Sequence, residues 1–186
     1  MEATQATDNT LHKIGYVHNW DWTNNGATDG EIITIDKPAP APAGWTEPTN
    51  YVVVWANSSN SPPNAYNEYY PINYDGPGSV MQNTYLCRVG ATSGTYCGRV
   101  QNDRATVTYN GVTIKDTLLL NGGLACMGDS GGPTLISQTA YGTFVAYGGT
   151  PSTMLGPNGG VQNCGNVWWA VYTGNIEAEL NVTLVT

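Results

Sequence analysis

The stretch ACMGDSGGPTL, residues 125–135, sets a serine between glycines, one position after an acid and four after a cysteine. Core strands and ordinary turns have no need of that combination. A serine hydroxyl is a weak nucleophile. It needs a base to take its proton and donors to hold the negative oxygen that develops on a substrate. The backbone N–H groups of Gly128 and Ser130 supply such donors if the turn is tight enough for them to converge. Gly128 allows the dihedrals and close approach that a side chain blocks. Gly131 and Gly132 let the next segment pass close behind, and Pro133 starts it.

Outward from this stretch, the chain reads as β-rich. It has 186 residues, enough for one ordinary domain or two small subdomains sharing a cleft. Charged residues make up 11%, while Gly (23) and Tyr (12) are abundant, a balance that favours strands over helices or disorder. The net charge is −8 with only six Lys and Arg, and no basic run occurs. Nucleic acid is therefore not an expected partner, because phosphate contacts need clustered cations. No stretch approaches the ~20 apolar residues that span a bilayer, and the polar start MEATQATDNT lacks the parts of a signal peptide. The cysteines Cys87, Cys97, Cys126 and Cys164 form no C-x-x-C pair, so no metal site is expected. Their even count and wide spacing read as two disulfides and an oxidising compartment. The sequons at Asn57 and Asn181 permit glycosylation, although such triplets are frequent by chance.

Short β-like runs recur between turn residues: 13–17, 31–35, 51–55, 80–89, 97–101, 105–109, 112–120, 133–137, 142–148 and 166–172. YNGV, 109–112, puts Asn-Gly between two of them, a strong hairpin signal. Many short strands at near-regular spacing indicate a sandwich or barrel. One helix is expected over 173–181, capped by Thr173, with Ile176 and Leu180 on one face; VTLV then returns to extended form. The Pro-rich segments 36–48 and 57–64 are loops, because Pro removes donors and blocks central strands. There is no internal repeat.

GDSGGP resembles the nucleophile motif of the chymotrypsin-like (trypsin-like) serine endopeptidases, whose Ser-His-Asp triad is a worked template for this chemistry. LCRVGATSGTYCGRVQ, 86–101, is similar to the matching stretch in the streptogrisin and α-lytic branch of bacterial secreted proteases. YGGT, 147–150, followed by Cys164, resembles the family's substrate-binding strand and pocket disulfide. The likeness covers about residues 80–186 well and 13–36 more weakly. It implies an all-β double Greek-key barrel with a complete second barrel, a partial first barrel and a short C-terminal helix. It also implies the disulfides Cys87–Cys97 and Cys126–Cys164, no cofactor, and a secreted location. The expected organisation is a first-barrel remnant at 1–50, ending in the Pro-rich loop. An inter-barrel linker with an extra strand follows at 51–79, and the second barrel with the nucleophile loop and helix at 80–186.

In the family an Asp stands at the mouth of a strand in a pattern like Asp-x-x-Ile-Val. TDGEIITI fits with Asp29, and Asp36 is the runner-up. The family's base is a His in a motif like Thr-Ala-Gly-His-Cys. The two histidines, His12 and His18, stand in no such motif, and His18 lies only eleven residues before Asp29. The resemblance therefore implies a protease piece that lacks its general base, or a protease-like peptide-binding module that lost catalysis. An unrelated carbohydrate binder, suggested by the Trp and Tyr content, leaves the nucleophile motif unexplained.

By the same resemblance, Ser130 is the nucleophile, Asp29 orients the base, and Gly128 and Ser130 form the oxyanion hole. Asp129 is buried and needs a cationic partner; bacterial relatives use an internal Arg, and Arg88 in CRVG stands at the matching place. The pocket floor falls near Leu124 and Ala125 and its wall at Tyr147, Gly148 and Gly149, with Met127 a further substrate-binding residue. With no acid at the floor and glycines in the wall, the expected preference is a bulky apolar or aromatic residue before the cut bond. The backbone of 147–149 is expected to pair with an extended peptide. The expected partners are a peptide or protein substrate and a segment completing the first barrel.

Overall fold

A computed structural model describes residues 2–7, 10–22, 25–27, 29–35, 51–55, 66–156 and 159–184; for 2–7, 10–22, 29–35, 51, 53–55 and 66–69 it describes the backbone alone. The Pro-rich segments at 36–48 and 57–64, with Asp36 and Asn57, fall outside these residues.

Six strands close on themselves. They are β7 (Tyr85–Gly90), β8 (Gly94–Tyr109), β9 (Val112–Cys126), β10 (Pro133–Ile136), β11 (Thr139–Gly148) and β13 (Val161–Tyr172). Going round, the antiparallel pairs are β7–β8, β8–β9, β9–β13, β13–β11, β11–β10 and β10–β7. The second barrel is thus complete. Two short strands hang on it: β6 (Tyr74–Asp75) runs parallel to β11, and β12 (Ser152–Leu155) pairs with the start of β13.

Alternation builds the interior. Along β11, the residues from Ala140 to Ala146 alternate between buried and half-buried, as a strand with one face in a core requires. Leu86, Val100, Leu118, Leu120, Phe144, Trp168, Ala170 and Tyr172 fill the barrel. The two polar aromatics there have acceptors, as buried donors demand. Trp168 Nε1 donates to the Gly122 carbonyl and the Tyr172 hydroxyl to the Asp103 carbonyl, both at 3.0 Å. Burial, aided by the nearby Asp103 carboxylate, pushes the Tyr172 hydroxyl up to about 12, which keeps it a donor.

YNGV forms the hairpin its Asn-Gly predicts: Tyr109 faces Val112, and Asn110 and Gly111 take φ of 50° and 80°. The runs at 97–101 and 105–109 are one continuous strand, β8, with register shifts in between. The run at 80–89 begins as a strand only at Tyr85; Asn83, in the left-handed region at φ 69°, breaks its start.

The helix α1 spans Thr173–Leu180. Thr173 does not cap it: the extended N-cap position is Tyr172, and no side chain closes that end. Asn181 ends α1 in the left-handed conformation at φ 53°, and 182–184 form no strand. Leu180 is buried, and Ile176 packs on a cluster of Val107, Ile114, Ala146 and Val171 on the outer face of the barrel.

Toward the N-terminus, β1 (Glu2–Thr7), β2 (Thr10–Trp22) and β3 (Asp29–Ile35) form a three-stranded antiparallel sheet, and β4 (Tyr51–Trp55) pairs with β5 (Tyr66–Pro71). Residues 25–27, between β2 and β3, dock on β9. Asn25 N–H donates to Thr113 at 2.6 Å, Lys115 N–H to Gly26 at 2.8 Å, and Asn175 Nδ2 of α1 to Ala27 at 3.3 Å. This places the first residue of β3, Asp29, three residues from a fixed point on the barrel.

Candidate active site

The loop between β9 and β10 carries Ser130, and its shape follows from where each backbone group is tied. Met127 N–H donates to the Asn163 carbonyl, Asp129 N–H to Cys126, Gly131 N–H to Phe144 and Gly132 N–H to Asp129, at 2.8–3.1 Å. The N–H groups of Gly128 and Ser130 have no acceptor among the described residues. Two carbonyls explain their direction. The Met127 carbonyl accepts the Thr92 hydroxyl at 2.8 Å, and the Asp129 carbonyl accepts Gly132 N–H at 3.0 Å. A peptide is planar and trans, so the N–H of Gly128 and that of Ser130 point away from those partners. Gly128 has φ +91°, and a Cβ there would stand 2.5 Å from the Thr92 hydroxyl, so only glycine fits. Ser130 is exposed.

Beneath the loop lies Asp129, 1% exposed. Its Oδ1 accepts the N–H groups of Thr92 and Ser93, both at 2.9 Å. Its Oδ2 accepts the Ser93 hydroxyl and Cys126 N–H, both at 2.7 Å. Arg88 Nη1 completes the set, 2.8 Å from Oδ2. Arg88 reaches this place from β7, through the barrel interior, between the rings of Phe144 (5.0 Å) and Trp168 (5.7 Å). Its Nη2 donates to Ser93 Oγ at 2.8 Å and to the Leu124 carbonyl. Burial lowers the Arg88 pKa, and Asp129 opposes that shift. Neighbouring glycines keep the space open: a Cβ on Gly90 would run into the Asp129 carboxylate, and one on Gly132 into the Val89 carbonyl.

The disulfide Cys126–Cys164 fastens the loop to β13, and Cys87–Cys97 joins β7 to β8. Of the residues expected at the pocket, Ala125 is enclosed in the barrel core, Leu124 is half-buried and Met127 is 57% exposed. Tyr147 packs against the barrel core. Gly148 pairs with Val167 of β13, and Gly149 turns the chain at φ +83° beside Asn166. Beyond Phe144, β11 has β13 on one side and no strand on the other among the described residues.

Asp29 starts β3 opposite Trp22. His18 lies four residues along β2 from Trp22, at the register shift between Val17 and Asn19. Four residues of strand span about 13 Å, beyond the reach of a shared hydrogen bond. His12 is farther along the same strand.

Thr92 and Ser93, which cradle Asp129, were not singled out in the sequence. Their signal was the run GATSG, 90–94, two positions after Arg88: small, turn-forming residues able to offer consecutive amides to an anion.

The closed six-stranded barrel, the extra strands and the short C-terminal helix define the chymotrypsin-like fold of bacterial serine proteases. Solved structures with this architecture match most of the chain. A glutamic acid-specific serine protease matches with a TM-score of 0.65 at 15% identity, over 94% of this chain and 75% of its own. The Cellulomonas bogoriensis chymotrypsin matches with 0.61 at 17%, over 96% and 77%. The Nocardiopsis protease matches with 0.54 at 22%, over 74% and 61%. No model of a protein family matches the sequence, and no curated protein does.

Proposed function

We propose that this chain carries the nucleophile and oxyanion-binding half of a secreted serine endopeptidase, which cleaves peptide bonds through an acyl-enzyme. Ser130 Oγ attacks the scissile carbonyl carbon while a base takes its proton. The tetrahedral oxyanion faces the N–H groups of Gly128 and Ser130. The base then hands its proton to the leaving amine, and water releases the acyl group by the same steps in reverse. The observation that carries this reading is the division of the loop's amides: four are tied to the protein, while those flanking Asp129 are left without partners beside an exposed serine.

Asp29 orients the base in this reading. In this reading the base is neither His12 nor His18, which stand four or more residues along β2 from Trp22, the residue opposite Asp29. The peptide adds as a strand to the open edge of Tyr147, Gly148 and Gly149. It places a bulky apolar residue toward Leu124 and Met127, where no acid stands among the described residues to select Lys or Arg.

A second reading, a binding module that lost catalysis and kept the peptide groove, is favoured by the two histidines that match no catalytic motif. Against it stands an intact GDSGGP, since nothing in the packing requires a serine at position 130.

A peptide boronic acid with a C-terminal aromatic residue tests the site without needing the base. We expect a tetrahedral boron signal by 11B NMR that disappears in Ser130→Ala. A boron that stays trigonal while the peptide binds selects the binding module. No binding at all removes both readings. A fluorophosphonate probe should leave this chain unlabelled, and labelling would show that a group within it serves as base.

A further inference from the structure

The hairpin made by β12 and the start of β13 turns apolar side chains outward beside the Ser130 loop. Met127 N–H donates to the Asn163 carbonyl at 2.8 Å, which extends the β9–β13 ladder one pair past Cys126 and Cys164. Asn163 in turn faces Thr153 of β12, and Val161 faces Leu155. Residues two apart on a strand, and residues directly opposite, share one face of a sheet. Met127, Asn163, Thr153, Val161 and Leu155 therefore lie on one face. Its apolar members Met127, Val161 and Leu155 are 57%, 68% and 50% exposed. Single exposed apolar residues are ordinary, but three on one face beside a candidate active site mark a surface suited to a ligand.

The hairpin is tied at both ends. The disulfide Cys126–Cys164 holds its root. Thr150 N–H donates to Asn166 Oδ1 at 2.8 Å where the chain turns from β11 into β12, and Gly156 N–H donates to the Gly160 carbonyl at 2.8 Å at the far end. Only Thr150 and Pro151 separate Gly149, the last residue of the edge proposed to receive the peptide, from β12. A peptide on that edge runs on toward the hairpin. Spacing identifies which of its side chains meets the apolar face. Val161 lies two residues along β13 from Asn163, the residue opposite Met127, a step of about 7 Å. In an extended peptide, side chains two positions apart point the same way and are also about 7 Å apart. A peptide that sets the residue before the cut bond at Met127 therefore brings the side chain two positions earlier to Val161 and Leu155, and turns the intervening one to the other side.

We propose that Leu155 and Val161 form a second recognition site, which takes an apolar aliphatic side chain two positions before the residue at the cut bond. This rests on the roles given above to Ser130 and to the edge 147–149. It narrows the substrate class to peptides with apolar residues at alternate positions. Thr153 and Asn163, between the two sites on this face, carry no charge, so a charged side chain brought there loses water without gaining an ionic partner.

Two peptide boronic acids of equal composition test it, because the boron reports on Ser130 and the peptide on the hairpin. Both end in an aromatic residue whose carboxyl is replaced by boron. The first has Leu two positions before that residue and Ser between them; the second has the Leu and Ser exchanged. We expect both to give tetrahedral boron by 11B NMR, and the first to bind roughly tenfold more tightly, the gain from partly burying one Leu side chain. In the double variant Leu155→Ser with Val161→Ser the two should bind alike. Nuclear Overhauser contacts from the Leu methyls of the first peptide to the methyls of Leu155 and Val161 are expected in the unaltered chain, and their absence overturns the proposal even if the double variant fails to fold. Tetrahedral boron with equal binding of the two peptides, or a preference that survives in the double variant, overturns the proposal and leaves the reading of Ser130 standing. No binding of either peptide removes that reading and this one together.

Discussion

Arg88 and Asp129 meet inside the barrel at 2.8 Å with both side chains fully buried, one reaching in from β7 and the other hanging beneath the Ser130 loop. Taking two charges out of water is costly, and their attraction offsets that cost only where the remaining polar atoms are satisfied. Asp129 meets this condition through the amides of Thr92, Ser93 and Cys126 and the Ser93 hydroxyl. The pair thereby fixes the direction of the loop that carries Ser130. Arg88→Ala leaves the carboxylate buried without its cation and should lower stability by about 3–5 kcal/mol, measured by denaturant unfolding. Replacing both partners with apolar residues, as in Arg88→Met with Asp129→Leu, should not restore stability, because it strands three buried amides. Recovery in that double variant would show that the loop does not depend on the carboxylate.

Two glycines to alanine should act in opposite directions. At Gly90 the added methyl collides with the Asp129 carboxylate and Arg88 Nη1 stands 2.6 Å away, so neither can give without breaking the pair. Gly90→Ala should cost about 3 kcal/mol or more. At Gly174, in the first turn of α1, nothing lies within 4 Å and φ is not positive. Gly174→Ala should therefore stabilise by about 0.4–1 kcal/mol, by removing freedom from the unfolded chain. Thermal unfolding of the two variants against the unaltered chain checks both signs.

How much of this was readable from the residues depends on how local each cause is. The all-β class and its strands followed from short periodic runs, and the Tyr109–Val112 turn from Asn-Gly, because those causes lie within a few positions; the chymotrypsin-like architecture followed from the resemblance carried by GDSGGP. The polar strand β1, EATQAT, carries no apolar alternation; only its pairing with β2 makes it a strand. The helix start was misplaced at Thr173 because a capping residue type was present while the backbone became helical one position earlier. The cradle of Asp129 was least legible. Thr92 and Ser93 are 37 and 36 residues away from it, and no local pattern couples them.

The two disulfides should differ in weight. Cys126–Cys164 closes a segment with a separation of 38 residues, and Cys87–Cys97 one of 10. In the chain-entropy picture the longer loop contributes about 4 kcal/mol and the shorter about 3. Replacing Cys126 and Cys164 together by Ala should therefore cost about 1 kcal/mol more than replacing Cys87 and Cys97. It should also free the turn that aims the Gly128 and Ser130 amides. Amide hydrogen exchange at 127–132 should accelerate in the first double variant and stay unchanged in the second. Equal acceleration in both would mean that the loop is held by the barrel and not by its disulfide.

A carboxyl pair between β6 and α1 predicts how stability depends on pH. Asp75 has its pKa raised above the usual 3.8, by burial first and then by a hydrogen bond to, and repulsion from, Glu177. Glu177 meanwhile holds the C-terminal tail, accepting Leu184 N–H. A carboxyl whose folded pKa is raised makes the folded chain bind its proton more tightly than the unfolded chain does. Its contribution is fully present below the ordinary Asp range and is lost as pH rises through the raised value. At neutral pH the two carboxylates repel, with solvent screening limiting the effect to less than about 1 kcal/mol. Asp75→Asn should therefore raise Tm at pH 7, and the gain should vanish as the buffer is taken below the usual Asp pKa. A gain that persists unchanged at acidic pH would mean that the substitution acts through packing and not through the shared proton.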